Sequence, residues 1–316
     1  MVDLKKCGIV GCGFVGTSIA FSLLQSGLFQ ELVLLDVNND KAQGEAMDLS
    51  HGLSFSDPMD IYAGDYCDLE DTGIIIITAG AGQKPGETRL DLVHKNVEIY
   101  KQIIPQITKY NKEAILLVVS NPVDILTYVT LQLSGYPEHR VIGSGTVLDS
   151  GRLKYMIGKQ LAIDPRSVHS FVIGEHGDSE LVAWSCTNIS GVPFETMCHL
   201  RSNRSPEPGY QDNLEEDVKQ SAYEIIGRKG FTCYGVAMAV KRICEGIVGD
   251  EHCILSVSSI LHGEYGMEEI CIGVPTVVGA TGVEDIITLD LNDDEQKDLQ
   301  DSVSELKQVI AGLDLI

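Results

Sequence analysis

The chain has 316 residues, with 46 acidic against 23 basic side chains, a formal net charge of −23, and hydrophobic and charged fractions of 44% and 22%. That balance belongs to an ordinary globular protein and disfavours polyanionic partners such as nucleic acid or an anionic bilayer. No run approaches the roughly 18 apolar residues of a membrane helix, and the nine scattered cysteines lack CxxC spacing, so they read as buried thiols in a reducing compartment and not as disulfides or a metal site.

The length predicts two domains. Residues 1–143 alternate β-branched runs with amphipathic stretches: strand 7–11, helix 15–25, strand 32–36, helix 41–51, strand 74–78, helix 89–108, strand 115–119 and helix 123–133. The runs Ile74-Ile-Ile-Ile and Ile115-Leu-Leu-Val-Val are uninterrupted, as expected of parallel strands covered on both faces. This βαβ rhythm predicts an α/β, doubly wound parallel sheet. From 144 to 316 it gives way to a helix over 148–161, a strand over 168–173, a loop over 174–179 and a polar, proline-bearing stretch over 193–208. Helices over 213–228 and 233–248, extended runs over 253–262, 269–274 and 277–287, and a helix from about 293 complete a second, α+β domain. The start, Met1-Val-Asp-Leu-Lys-Lys, has no apolar signal region, so a cytoplasmic location is expected.

Gly11-Cys-Gly13-Phe14-Val15-Gly16 is a GxGxxG that follows a strand and opens a helix, and Asp36 ends the next strand 20 residues after Gly16. In that context the motif marks a Rossmann dinucleotide site. Gly11 makes the tight turn, Gly13 lets a diphosphate approach the backbone, Gly16 lets helix pack on strand, and the helix N-terminus favours the anion. Asp36 suits both hydroxyls of a ribose and repels a 2′-phosphate, which favours NAD. Thr78, Ala79 and Gly80, at the end of the third strand, face the same edge.

Oxidation of an alcohol by a dinucleotide needs a base, polarisation of the C–O bond and exclusion of water, and an anionic substrate also needs a clamp. Gly174-Glu-His176-Gly-Asp-Ser places a histidine in a glycine-flanked loop after an apolar strand. Asp149, at the start of a helix, is suited to orient His176 and hold its imidazolium. Arg152, one turn on, is suited to a bidentate grip on a carboxylate. Without His176, a surface ion pair would be the better reading of Asp149 and Arg152. The glycine-punctuated loop Ala79-Gly-Ala-Gly-Gln83-Lys-Pro-Gly-Glu-Thr-Arg89 reads as a lid, with Arg89 at its base placed to polarise the carbonyl. Asn121, before Pro122 at the end of another strand, reads as a contact for nicotinamide or substrate.

These motifs closely resemble the L-lactate dehydrogenase family, within the lactate/malate dehydrogenase superfamily. The resemblance spans nearly the whole chain and rests on AGQKPGETRLDL, SNPVDILTY, GSGTVLDS and GEHGDS. It implies NAD as cofactor, pyruvate and L-lactate as substrates, and His176 as proton donor and acceptor, paired with Asp149. It further implies Arg152 as carboxylate clamp, Arg89 as mobile-loop arginine, a cis bond between Asn121 and Pro122, and Thr232 as a second neutral wall of the substrate pocket.

Malate-specific members of the superfamily carry Arg where Gln83 stands. A second substrate carboxylate buried against neutral Gln83 would lack a counter-charge, at roughly 3–5 kcal/mol by analogy with broken buried pairs. The resemblance also implies a homotetramer. The short segment before the first strand matches bacterial members, many of them activated by fructose 1,6-bisphosphate at a subunit interface. His169 matches the activator histidine, and Lys154 stands where an Arg is expected, keeping the charge but losing the fork. The rival readings are a malate dehydrogenase, an enzyme for bulkier 2-oxo acids, and an idle NAD-binding or structural member.

Overall fold

A computed structural model describes residues 2–82, 89–202 and 209–313. Its first half contains strands β1 (Asp3–Val10), β2 (Glu31–Leu35), β3 (Asp60–Ala63), β4 (Thr72–Ile77), β5 (Ile115–Val118) and β6 (Val141–Gly143). Between them run α1 (Phe14–Leu24), α2 (Asn39–His51), α3 (Arg89–Tyr110) and α4 (Val123–Ser134). All six are parallel and run β6-β5-β4-β1-β2-β3. Every residue of β4 and β5 is buried, because helices cover both faces, and this is why these runs lack polar alternation. The strand β3 escapes the sequence pattern because only Ile61 of Asp-Ile-Tyr-Ala is buried; Tyr62 instead donates its hydroxyl to Glu31 at 2.6 Å.

The second half continues with α5 (Val147–Leu161), β7 (Val168–His169), β8 (Val172–Ile173), β9 (Leu181–Val182), β10 (Asn188–Ile189) and β11 (Val192–Pro193). It ends with α6 (Phe194–Ser202), α7 (Tyr210–Lys229), α8 (Tyr234–Val248), β12 (Cys253–His262), β13 (Glu268–Gly279), β14 (Gly282–Ile286) and α9 (Asp293–Ala311). Three details depart from the sequence reading. The run over 168–173 is two strands in different small sheets, β7 pairing β10 and β8 pairing β9. At the switch, buried Ser170 meets the Thr187 hydroxyl at 2.8 Å. The runs over 269–274 and 277–287 divide elsewhere: β13 passes straight through Pro275. That proline lies just past the last β13–β14 pair: its carbonyl accepts from Ile287 N, and the Ile287 carbonyl, which a proline cannot serve, accepts from the Tyr265 hydroxyl at 3.0 Å. The polar stretch after Pro193 contains α6, anchored by Phe194 against Trp184 and Tyr210.

The strands β12–β14 are not a separate sheet. β12 pairs antiparallel with β6, so among the described residues nine strands form one sheet, β14-β13-β12-β6-β5-β4-β1-β2-β3. The carboxyl ends of β1, β4, β5 and β6 therefore open on one edge, which is where ligands bind in open α/β sheets.

Asn111, 2% exposed after α3, fixes α3 to both central strands. Its amide donates to the Leu69 and Thr72 carbonyls at 2.7 and 2.9 Å, and its oxygen accepts from Glu113 N and Ala114 N, both at 2.9 Å. Replacing Asn111 with Ala leaves several buried backbone groups unpaired at about 1–3 kcal/mol each. Urea unfolding of Asn111→Ala is expected to show a loss of about 3 kcal/mol or more; a loss below about 1 kcal/mol would contradict this role.

Candidate active site

The loop that carries His176 is pinned at three consecutive residues by three elements. Gly174 exchanges both backbone hydrogen bonds with Gly273 of β13, at 2.9 and 3.0 Å. Glu175 N donates to Ser302 Oγ of α9 at 3.0 Å, and His176 N donates to Asp124 Oδ2 of α4 at 2.8 Å. Asp124 is buried, and sequence reasoning missed it. The imidazole therefore stands on a fixed backbone.

Facing it, α5 presents Asp149 in its first turn. Asp149 is 1% exposed and divides its two oxygens. His176 Nδ1 donates to Oδ2 at 2.7 Å, and Arg152 Nη1 donates to Oδ1 at 2.6 Å. Burial alone would raise the Asp149 pKa, but the two cations hold it below the ordinary carboxylate value. Burial alone would lower the His176 pKa, but Asp149, joined by Glu180, lifts it well above the ordinary imidazole value. With Nδ1 committed to Asp149, Nε2 is the nitrogen available to a reacting oxygen. Arg152, expected as the carboxylate clamp, lines the same cavity and has one arm on Asp149.

Glu180, also missed in the sequence, completes the group. Its Oε2 lies 3.7 Å from His176 Nδ1 and has no hydrogen-bond partner among the described residues. Burial, reinforced by Asp149 and opposed by His176, pushes its pKa up to about 7. Asp149, His176 and Glu180 lie close enough to hold a cation, but Arg152 already supplies positive charge there. The signal for Glu180 was its place four residues from His176.

His176, Asp149, Arg152 and Asn121 line one cavity of about 450 Å³. Across it runs α7, with Lys219, Ala222, Tyr223 and Ile226 at helical spacing, and Tyr223 donates its hydroxyl to Asp178 at 2.9 Å. Leu92 of α3 and Ile226 add apolar surface. The Asn121–Pro122 bond is cis, and the Asn121 carbonyl accepts from Asn96 Nδ2 at 2.7 Å. Buried Asn96 also accepts from Ala81 N at 2.7 Å, tying the loops after β4 and β5 together. Thr232 sits in the connection between α7 and α8 and is not among the residues lining this cavity. Gln83 lies outside the described residues, as does the side chain of Arg89, whose backbone begins α3.

The cradle at the end of β1 fits a dinucleotide. Gly11 adopts φ +110°, and a Cβ there would lie 2.5 Å from Ala79 N; at Gly16 it would lie 1.9 Å from the Gly11 carbonyl. At Gly13 it would meet nothing within 4 Å, so the approach to α1 is open. The N-terminus of α1 has no side-chain cap and no acidic residue in its first turn, which leaves its N–H groups to an anion. Asp36 is held by Cys12 N at 2.7 Å and Asn38 N at 2.9 Å, each carboxylate oxygen keeping a lone pair for a ribose hydroxyl. Thr78 donates to the Gly11 carbonyl at 2.6 Å, and Ala79 N to Val10 O at 2.8 Å.

Lys154 and His169 do not converge on one cavity. Lys154, its pKa lowered by burial, lines a cavity of about 560 Å³ with Arg166 and Arg242. His169 is exposed on β7 and is not in that lining.

Two family models match the chain: the lactate/malate dehydrogenase NAD binding domain over residues 5–143 and the lactate/malate dehydrogenase alpha/beta C-terminal domain over residues 146–313. The chain is 53% identical over 308 residues to L-lactate dehydrogenase 1 of Clostridium acetobutylicum, covering 98% of each. It is 51% identical to the L-lactate dehydrogenase of Acetivibrio thermocellus, covering 99% of this chain and 98% of that one. The crystal structure of the minor L-lactate dehydrogenase of Enterococcus mundtii in its ligands-bound form superposes with a TM-score of 0.94 at 46% identity, covering 99% of both chains.

A buried carboxyl with its pKa raised from 4.5 to about 7 contributes stability that is complete below pH 4.5 and lost as pH rises through 7. The thermal midpoint of the wild type relative to Glu180→Gln is therefore expected to fall between pH 5 and pH 8. A difference that does not change with pH would contradict the titration of Glu180.

Proposed function

This chain belongs to the lactate/malate dehydrogenase family, and from that premise and the site geometry we infer that it is an NAD-dependent L-lactate dehydrogenase, interconverting pyruvate and L-lactate. The observation that carries the reading is the Asp149-held His176 beside Arg152 in a cavity next to an open dinucleotide cradle. Bound NAD supplies hydride transfer to and from the substrate carbon. The chain holds it through Gly11, Gly13, Phe14, Val15 and Gly16 at the diphosphate, Asp36 at the ribose, and Thr78, Ala79, Gly80 and Asn121 along the strand edge.

In the direction of reduction, the His176 imidazolium donates its Nε2 proton to the carbonyl oxygen, while Asp149 holds the ring and its charge. In oxidation the same nitrogen takes the hydroxyl proton back. Arg152 meets the substrate carboxylate with the part of its guanidinium not bound to Asp149. Arg89 polarises the carbonyl from the base of the 79–89 loop, whose closure excludes water. Leu92 and Ile226 line the cavity and suit the methyl group, while neutral Gln83 disfavours a second carboxylate; Thr232, expected as a second neutral wall, does not line the cavity here.

The division at residue 143 separates the cofactor half from the substrate half. A homotetramer is supported by exposed apolar side chains on neighbouring helices, among them Tyr155 of α5 and Tyr234 and Met238 of α8. Lys154 and His169 are the residues proposed to hold fructose 1,6-bisphosphate at a subunit interface, with Arg166 and Arg242 adding positive charge beside Lys154. A cytoplasmic location accords with the reduced, mostly buried cysteines; among the described residues no helix is long and apolar enough to cross a membrane.

Steady-state NADH oxidation is expected to favour pyruvate over oxaloacetate by about a hundredfold or more in kcat/KM. The preference should narrow or reverse in Gln83→Arg, and the rate should respond to fructose 1,6-bisphosphate. Oxaloacetate ahead in the wild type would sink the Gln83 argument.

A further inference from the structure

Phe14 is the first residue of α1, directly after Gly13 at the open approach to the cradle. Its ring stacks on Phe231 with centroids 3.9 Å apart and planes 2° from parallel. Phe231 belongs to the connection between α7 and α8, distant in sequence, and α7 is the helix that runs along the substrate cavity. That connection bends back at Gly230, φ +91°, and Lys229 Nζ lies over the Phe231 ring at 4.6 Å and over the Tyr234 ring at 4.2 Å. A mere hydrophobic contact would sink into a core, yet Phe14 remains 63% exposed. Beneath this contact, α1 and α8 are already packed, with the Ser22 hydroxyl on the Ala237 carbonyl at 3.4 Å. The stack therefore does not hold the two helices together; it closes the rim above them.

We propose that Phe14 and Phe231 form an aromatic clasp across the rim of the dinucleotide cradle. The clasp holds the 230–233 connection, and Thr232 with it, over the diphosphate–nicotinamide half of the cofactor. Both rings are positioning residues: they shield that half from water and couple its binding to the placement of the 230–233 connection. This rests on the NAD reading of the cradle. Lys229 adds a cation beside a helix terminus that has no acidic residue to oppose it, which suits a diphosphate beneath the clasp.

The test is equilibrium binding of NADH, followed by its fluorescence, and of AMP, followed by calorimetry. Both are measured on the wild type, Phe14→Ala, Phe231→Ala, the double variant and Phe231→Tyr. AMP occupies only the Asp36 end and reports whether the cradle remains intact. Either alanine variant is expected to weaken NADH about two- to tenfold, the range of an aromatic pair, with AMP unchanged. The double variant should be no weaker than the worse single one, and Phe231→Tyr should restore binding. NADH binding that is unchanged or tighter, an equal loss for AMP, additive single effects, or no rescue by Tyr would each overturn the clasp. A wild type that binds AMP but not NADH would instead overturn the cofactor reading beneath it.

Discussion

A carboxylate sealed from water keeps its charge only if cations or hydrogen-bond donors offset the cost of burial, and Asp149 is that carboxylate here. One oxygen faces His176 and the other Arg152. Removing either partner would leave buried charge uncompensated, at a cost of several kcal/mol. The same ion pair that keeps Asp149 ionised keeps His176 protonated. Folding and acid–base chemistry are thus two consequences of one contact.

That contact tolerates little movement, and the fold is arranged accordingly. The helix α5 is locked to the strand before the His176 loop, because the Thr146 hydroxyl donates to Val172 O at 2.6 Å and Ser150 Oγ accepts from Val172 N at 2.9 Å. The loop itself is fastened to β13, α9 and α4, so a long stretch of the second half serves to hold one imidazole. Extension of the parallel sheet by β12–β14 brings β13 within reach of Gly174. The joined sheet is what places the histidine loop beside the cofactor edge.

The parts of this arrangement legible in the sequence are those whose chemistry fixes residue type at short spacing. GxGxxG with Asp36, Asp149 with Arg152, and the glycine-flanked His176 are all local patterns, and the uninterrupted Ile and Leu runs reveal buried parallel strands. What escaped depends on long-range contacts. Asp124 and Asn96 become site residues only because α4 and α3 bring them to loops 52 and 25 residues away. Glu180 reads as an ordinary acidic residue until burial against His176 makes it otherwise. The 168–173 run looks like one strand, since nothing in Val-His-Ser-Phe-Val-Ile says that the chain changes sheets at Ser170. Lys154 and His169 stand on α5 and β7, and only Lys154 lines the cavity it shares with Arg166 and Arg242.

The most direct measurement is nitrogen NMR of ¹⁵N-histidine-labelled protein, following the His176 ring through pH in the wild type and in Asp149→Asn. The ion pair requires the wild-type imidazolium to persist well above the ordinary value of 6.5, with the proton on Nδ1 directed at Asp149. In the variant the pKa must fall, because burial then acts with less opposition. A wild-type His176 that titrates at or below 6.5, or one whose titration ignores the loss of Asp149, would contradict the account.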